Sequence, residues 1–186
     1  MLSKAKGDGY SIWLVPTKSV YAPLERIMNR LSHEHSDHTL GYQAPRFGPH
    51  ITLISGVSSR GEAIAKTLKL ASLIKQFDVR FSGFGQLDDE YFRCVFIKVA
   101  ETKGLMDANK AARQVFNKAK APKYMPHLSL IYGLFPSATR KEIIYKVKRI
   151  NPGAAAYKFH VGKISLYRTK DTVDKWYKVR DFKVEA

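Results

Sequence analysis

Two histidines of the sequence lie in copies of the same short motif. Residues 49–56 read PHITLISG and residues 126–133 read PHLSLIYG, with five of the eight positions identical. The motif histidines, His50 and His127, are 77 positions apart, and each is followed two positions later by a hydroxyl residue. Histidine can act as a base or as an acid near neutral pH because its ordinary pKa is about 6.5. The repeat therefore supplies two candidate proton-transfer groups.

Each motif has the pattern of a β-strand with one polar face. Because side chains alternate between the faces of a strand, His50 shares a face with Thr52, and His127 shares a face with Ser129. Two such strands meeting at one cleft bring two imidazoles and two hydroxyls together. Imidazoles can deprotonate water and protonate a leaving oxygen, and hydroxyls can bind phosphate oxygens. This set predicts phosphoryl chemistry that requires no metal; the alternative is a duplicated structural motif without catalysis.

The chain around the motifs alternates short strands with amphipathic helices. Strands are expected at 10–15, 50–54, 77–81, 91–99, 127–132, 157–167 and 175–184, and helices at 20–32, 62–74, 104–118 and 138–150. The order of elements in the second half repeats that of the first, which predicts two similar halves related by a pseudo-two-fold axis. Nothing resembles a low-complexity linker, so residues 1–186 are expected to form one domain.

The bulk composition restricts the class of protein. A hydrophobic content of 45% is sufficient for a packed core, and no apolar run approaches the roughly 20 residues of a membrane span. The first nine residues have no apolar stretch typical of a secretory signal, so we expect a cytoplasmic or nuclear protein. Lys and Arg total 32 against 16 Asp and Glu, a net charge of +16. Such a surface favours anionic partners, RNA or nucleotides, or is an ordinary solvated surface.

Several other residues carry weaker signals. One cysteine, Cys94, excludes an internal disulfide and is expected to be a small buried apolar side chain. Residues 33–38 (HEHSDH) contain three histidines, but no second ligand group has convincing spacing, and a solvated polar turn is the simpler interpretation. The acidic residues 88–90 are expected at an exposed hairpin tip. His160 alternates with apolar neighbours and is expected to be packed. We predict no metal and no cofactor.

The motifs resemble those of the two-histidine (2H) phosphoesterase superfamily, whose mark is a pair of H-x-[ST]-x motifs. Within it, the sequence is most similar to the cyclic phosphodiesterases of fungi and plants. The segments that carry this resemblance are YSIWLVP at 10–16, PRFGPHITL at 45–53, YFRCVF at 91–96 and YMPHLSLIY at 124–132. The resemblance implies a bilobal α+β fold in which two antiparallel sheets flanked by helices enclose a cleft.

The resemblance also implies an activity and roles for individual residues. The implied reactions are hydrolysis of ADP-ribose 1″,2″-cyclic phosphate, a by-product of tRNA splicing, to the 1″-phosphate, and of nucleoside 2′,3′-cyclic phosphates to 2′-phosphates. His127 is implied to activate water, and His50 to protonate the leaving oxygen. The implied phosphate-binding residues are Thr52 and Ser129, and the implied nucleotide-contacting residues are Trp13, Phe92 and Tyr132. Tyr132 has the strand parity opposite to His127, so it reaches the cleft only if the strand ends or bends near Gly133.

Two other functions remain as alternatives. One is an enzyme that acts on RNA ends, either a ligase or a 3′–5′ exonuclease. The other is a basic RNA-binding module without catalytic activity. As partners we expect a small nucleotide substrate and weak RNA binding through the basic surface, with no membrane association, and we expect a monomer.

Overall fold

The structure is a computed structural model that describes residues 9–36, 43–57 and 59–186. The predictions for the N-terminal segment 1–8 and for Asp37 and His38 lie outside the described residues. Within the described chain the strands are β1 Tyr10–Leu14, β2 Ile51–Val57, β3 Phe77–Gln86, β4 Val95–Val99, β5 His127–Ile131, β6 Lys158–Val161, β7 Lys163–Arg168 and β8 Tyr177–Lys183. The helices are α1 Lys18–Glu34, α2 Arg60–Leu73, α3 Lys103–Val115 and α4 Ser137–Ile150.

The strands form two four-stranded antiparallel sheets. The first sheet has the order β2-β1-β7-β8 and the second has the order β5-β4-β3-β6. This confirms the predicted α+β fold of two antiparallel sheets flanked by helices. The first sheet combines strands from both ends of the chain, whereas the second is built from the middle. No helix in the described ranges is long and apolar enough to cross a membrane.

Each motif strand lies at the edge of its sheet, and β2 contacts β5. Their apolar faces are buried as the alternation predicts, with Ile51 and Leu53 on β2 and Leu128 and Leu130 on β5. The second half of the chain also holds the backbone of β2. Asn109 on α3 donates a hydrogen bond to the carbonyl oxygen of Leu53 (2.8 Å). Helix α1 of the first half in turn contacts β5, so the two halves hold each other's motif strands.

Two predicted strands are wrong in part. Over 91–99, residues Tyr91–Arg93 form a 3-10 turn, and β4 begins only at Val95. Tertiary hydrogen bonds impose this turn: the Gly133 N–H donates to the Tyr91 carbonyl (3.0 Å) and the Ser129 hydroxyl donates to the Phe92 carbonyl (2.6 Å). Over 157–167, the predicted single strand is divided at Gly162 into β6 and β7, which belong to different sheets. The chain crosses between the sheets at this glycine.

Three predictions for single side chains have mixed outcomes. His160 is exposed rather than packed, because it alternates with the buried Phe159 and Val161 and so lies on the outer face of β6. Its ring nitrogens lie within 2.9 Å of Asp78 Oδ1 and 2.8 Å of Gln76 Oε1. Asp88 and Asp89 are exposed as predicted, whereas Glu90 is half-buried. The predicted burial of Cys94 is confirmed, and its thiol donates to the Ile131 carbonyl (3.1 Å).

Candidate active site

A cleft between the two motif strands collects the residues singled out in the sequence. Its cavity measures about 350 Å³, which is in the range of small-ligand pockets. The walls are formed by Ser11, Trp13, His50, Thr52, Ser55, Glu90, Phe92, Arg93, His127, Ser129, Tyr132, Thr169 and Trp176. All seven residues assigned to a site from the sequence are among them.

The two histidines have the same hydrogen bond to the backbone. Nδ1 of His50 lies 2.8 Å from the carbonyl oxygen of Gly48, and Nδ1 of His127 lies 2.8 Å from that of Met125. Because a carbonyl oxygen only accepts, each Nδ1 carries the proton and donates it. Both contacts come from the same local sequence, in which a proline with a fixed φ precedes the histidine. Nε2 of each imidazole is thereby left for chemistry as a base or, when protonated, as an acid.

His50 lies in an aromatic environment. Its ring stacks on Trp13 with the centroids 3.5 Å apart and an interplanar angle of 11°, and Trp13 stacks in turn on Tyr167 at 3.8 Å. Only 6% of His50 is exposed, and this burial lowers the pKa of His50 to about 4. The hydrogen bond to the Gly48 carbonyl acts in the opposite direction, because it favours the imidazolium. Its imidazole is therefore neutral at pH 7.

His127 has a more polar environment. It is half-buried, and the ring of Phe96 meets it edge-on with the centroids 5.4 Å apart. Burial is the main cause that lowers the pKa of His127. Among the nearby charges, Arg93 lowers this pKa further and Glu90 raises it. The two imidazoles thus share a backbone hydrogen bond but differ in the groups around them.

The two hydroxyls of the motifs also differ. Ser129 is buried and donates its hydroxyl proton to the Phe92 carbonyl at 2.6 Å. Thr52 is half-buried on the cleft wall, and its hydroxyl makes no hydrogen bond to another described residue. The backbone carbonyl of Thr52 accepts a hydrogen bond from the Tyr124 hydroxyl (3.0 Å). The Thr52 hydroxyl can therefore donate to a ligand directly, whereas Ser129 has first to release Phe92.

The three aromatic residues inferred from the resemblance form part of the cavity wall. Tyr132 follows the last residue of β5, so the strand ends where the parity argument requires. Its ring stacks on Phe47 with centroids 3.7 Å apart and an angle of 5°. Phe92 meets Tyr132 edge-on at 5.1 Å. Phe47 belongs to the first half and Tyr132 to the second, so this stack joins the two halves.

One large aromatic residue of the site was missed in the sequence analysis. Trp176 lies just before β8, and its ring centroid is 6.1 Å from that of Trp13 and 6.0 Å from that of Phe92. It therefore connects the aromatic residues of the two sheets across the cleft. Residues 175–184 were predicted only as a closing strand, and nothing in that pattern indicates that this strand returns to the first sheet.

Two charged residues of the wall were also missed. Glu90 and Arg93 form an ion pair, with 42% and 37% of their side chains exposed. Both lie at the 3-10 turn that replaces the first part of the predicted strand. Glu90 was predicted at an exposed hairpin tip and Arg93 within a strand. Nothing in the sequence therefore indicates that both residues line the cleft. A motif search limited to histidine and hydroxyl pairs does not find them.

The described residues contain no group of three or more His, Cys, Asp or Glu side chains arranged to hold a metal ion. In the histidine-rich segment, His35 lies edge-on to Phe135 with the centroids 5.5 Å apart. Asp37 and His38 of that segment are not among the described residues.

Comparison with solved structures shows that other proteins share this fold. Its fold is similar to that of TT0787 of Thermus thermophilus, with a TM-score of 0.65 and 15% identity over 96% of this chain and 98% of that one. It is also similar to E. coli LigT complexed with 3′-AMP, with a TM-score of 0.61 and 13% identity over 98% of this chain and all of that one. At this level of identity, the two similarities concern the fold of the protein.

The family follows from the sequence comparisons. Residues 8–184 match the family described as cyclic phosphodiesterase-like protein, and the chain belongs to this family. A cyclic phosphodiesterase of Arabidopsis thaliana is 26% identical over 175 residues, which cover 94% of this chain and 92% of the relative. The protein is thus a hydrolase of the phosphodiesterase class.

Proposed function

We propose that the protein opens cyclic phosphate diesters of ribose, with His50 and His127 as its proton-transfer pair. The observation that carries this proposal is the matched pair of imidazoles in one cleft, each with Nδ1 bound to a backbone carbonyl 2.8 Å away. Such a pair presents two Nε2 atoms to one ligand. An in-line displacement at phosphorus needs a base on one side and an acid on the other.

In the proposed reaction, His127 removes a proton from water as the oxygen attacks phosphorus. The bond between phosphorus and one ribose oxygen breaks, and His50 gives that oxygen a proton. The products are a ribose hydroxyl and a phosphate monoester. Thr52 and Ser129 would donate hydrogen bonds to the non-bridging oxygens, where negative charge accumulates. Trp13, Phe92 and Tyr132 would contact the nucleotide.

The acid role requires the pKa of His50 to rise when the substrate binds. Burial holds that pKa at about 4 in the free protein. A phosphate anion next to the ring favours the imidazolium and would raise this pKa. The stacked face of Trp13 attracts cations and would stabilise the imidazolium once it has formed. Substrate binding and protonation of His50 are thus expected to be coupled.

As the preferred substrate we propose ADP-ribose 1″,2″-cyclic phosphate, formed during tRNA splicing, which would yield the 1″-phosphate. Nucleoside 2′,3′-cyclic phosphates would yield 2′-phosphates. Membership of the cyclic phosphodiesterase-like family supports a cyclic diester. The complex of the similarly folded LigT with 3′-AMP supports a cleft for a nucleotide. Aromatic walls suit a purine base, because every base has a face for stacking.

The net charge of +16 favours a second candidate, action on RNA ends. An enzyme that binds RNA through many lysines loses affinity steeply as salt increases. Hydrolysis of a mononucleotide should depend on salt only weakly. The ratio of the two salt slopes, measured with a cyclic mononucleotide and with an RNA ending in a 2′,3′-cyclic phosphate, distinguishes the candidates. A non-catalytic RNA-binding module would instead bind the RNA with a steep salt dependence and hydrolyse neither substrate.

The proposed function is tested by following hydrolysis of ADP-ribose 1″,2″-cyclic phosphate and adenosine 2′,3′-cyclic phosphate by phosphorus NMR with EDTA present. Wild-type protein is compared with His50→Ala and His127→Ala. Each substitution is expected to lower kcat/KM by about 10²–10⁴-fold, the usual contribution of a general acid or base. His33→Ala, on the exposed face of α1, is the matched control and should behave like wild type. Absence of turnover by folded wild-type protein would contradict the proposal.

A further inference from the structure

We propose that Arg93 binds the phosphate group of the substrate, and that Glu90 holds its guanidinium at the cleft until the anion replaces the carboxylate. This inference deepens the proposed function, because it concerns the same cleft. Both residues line the cavity beside His127, and their side chains form an ion pair there. The proposed reaction gives neither of them a role.

The backbone that carries the pair is fixed from the second motif. Glu90 precedes the turn Tyr91–Arg93, and the Arg93 N–H donates to the Glu90 carbonyl (3.3 Å). Ser129 and Gly133 hold the two intervening residues through the Phe92 and Tyr91 carbonyls. Arg93 therefore extends from a rigid turn, and only its side chain has to move to exchange one partner for another.

The chemistry of the guanidinium makes the exchange feasible. Arginine presents a planar fork of donors that fits the paired oxygens of a carboxylate or a phosphate. A phosphate thus competes with Glu90 for the same donors. Side chains as exposed as those of Glu90 and Arg93 form weak ion pairs, so little stability is lost when the carboxylate is released.

In the free protein the second motif offers no hydroxyl proton to a phosphate until Ser129 releases the Phe92 carbonyl, and Arg93 can supply a donor without that change. The Ser129 proton is already donated to the Phe92 carbonyl, whereas the Thr52 hydroxyl is open to the cleft. Arg93 and Glu90 both influence the pKa of His127, in opposite directions, which places them within electrostatic reach of that ring. When Arg93 turns to the phosphate, Glu90 remains near His127 as an unpaired carboxylate.

The test is binding of adenosine 2′-monophosphate and of inorganic phosphate, measured by calorimetry at two salt concentrations. Arg93→Gln should weaken binding of the nucleotide by about 10–100-fold, because charge-assisted hydrogen bonds to phosphate are lost. Arg93→Lys retains the charge without the fork and should have an intermediate effect. Glu90→Gln removes the competing carboxylate and should tighten binding by a few-fold. Thermal unfolding of each variant establishes that it is folded.

The matched control is Arg30→Gln. Arg30 also forms an exposed pair with a glutamate, with Nε 2.8 Å from Glu34 Oε1, but it lies on α1 away from the cavity wall. This variant loses the same charge and should bind the nucleotide like wild type. If Arg93→Gln and Arg30→Gln weaken binding equally, the effect is one of net charge and the proposal is wrong. Unchanged affinity in Arg93→Gln and Arg93→Lys also overturns it.

The calorimetric result is independent of turnover. Wild-type protein that binds phosphate through Arg93 but opens no cyclic diester would contradict the proposed function and leave this inference standing. Conversely, full cyclic phosphodiesterase activity with unchanged nucleotide binding in Arg93→Gln would overturn only the inference.

Discussion

The two halves of the cleft contain the same motif in different surroundings. On the first side, His50 is buried against Trp13, and the Thr52 hydroxyl is open to the cleft. On the second side, His127 lies near the Glu90–Arg93 pair, and Ser129 is bonded to a turn of the backbone. Two copies of one motif can therefore acquire different roles from their neighbours. If these surroundings separate the two sides, substitutions on each side should have measurably different effects.

The largest expected difference is in the pH dependence of stability. The pKa of His50 is about 4 in the fold and about 6.5 in the unfolded chain. Below pH 6.5 the unfolded state takes up a proton that the native state does not, so the protein loses stability as the pH falls. Between pH 7.5 and 4.5 wild type should lose on the order of 2–3 kcal/mol more than His50→Gln, as measured by urea unfolding. His33→Gln, on the exposed face of α1, is the control for replacing a histidine at pH 7.5. An equal loss in wild type and His50→Gln contradicts the burial argument.

The next prediction concerns the pH profile of kcat/KM, which reports the pKa values of the free enzyme. Both histidines have lowered pKa values, so the protonated acid becomes scarce as pH increases. We expect kcat/KM to be highest below about pH 6.5 and to fall by about tenfold per pH unit above it. We expect kcat to begin to fall at a higher pH than kcat/KM, because the bound phosphate raises the pKa of the acid. A kcat/KM that stays constant from about pH 6.5 to 8.5 would show that another group supplies the proton.

Substitution of Ser129 should mainly lower stability, whereas substitution of Thr52 should mainly lower activity. Ser129→Ala leaves the Phe92 carbonyl without its donor and should lower the free energy of unfolding by about 1–3 kcal/mol. Thr52→Val, which removes only an unbonded hydroxyl, should change stability by less than about 0.5 kcal/mol. It should lower kcat/KM by about tenfold, because one donor to the phosphate is lost. Urea unfolding and steady-state kinetics on both variants provide the comparison, and equal stability losses would mean that the hydroxyls are equivalent.

The smallest expected effects come from the rings next to each histidine. Trp13→Phe reduces the face on which His50 stacks and should lower kcat/KM about three- to tenfold. Phe96→Leu removes only an edge contact with His127 and should have an effect below about threefold. Steady-state assays at about pH 6, where the acid is still protonated in part, measure both. A larger loss in Phe96→Leu than in Trp13→Phe would mean that activity depends more on the ring beside His127 than on the ring stacked on His50.

The central pair of the site could be predicted because the repeat is local in the sequence. The motif specifies the histidine, the hydroxyl and the apolar face that β2 and β5 bury. The proline before each histidine is also local, and it accompanies the same backbone hydrogen bond in both copies. The aromatic residues taken from the family resemblance all line the cavity as well. Their roles in catalysis and binding remain predictions.

The parts that could not be predicted depend on long-range contacts. Trp176 reaches the cleft because β7 and β8 return to the first sheet, and strand patterns do not reveal which strands pair. The apolar run 91–99 has the composition of a strand, and only hydrogen bonds from Ser129 and Gly133 convert its beginning into a turn. That turn brings Glu90 and Arg93 to the wall. No local sequence pattern therefore indicates that these two charged residues belong to the site.

The most direct test of the division between the two histidines uses a substrate that needs no acid. A 3′-deoxynucleoside 2′-phosphate esterified with p-nitrophenol releases a stable phenolate, so protonation of the leaving oxygen is unnecessary. It also has no 3′-hydroxyl that could displace the phenolate in place of water. Single-turnover rates on this ester and on the cyclic diester would be compared for His50→Ala and His127→Ala. We predict that His50→Ala is inactive on the cyclic diester but close to wild type on the ester, whereas His127→Ala is inactive on both. The opposite pattern would exchange the two roles, and equal loss of both activities in both variants would contradict the division of acid and base between the two sides.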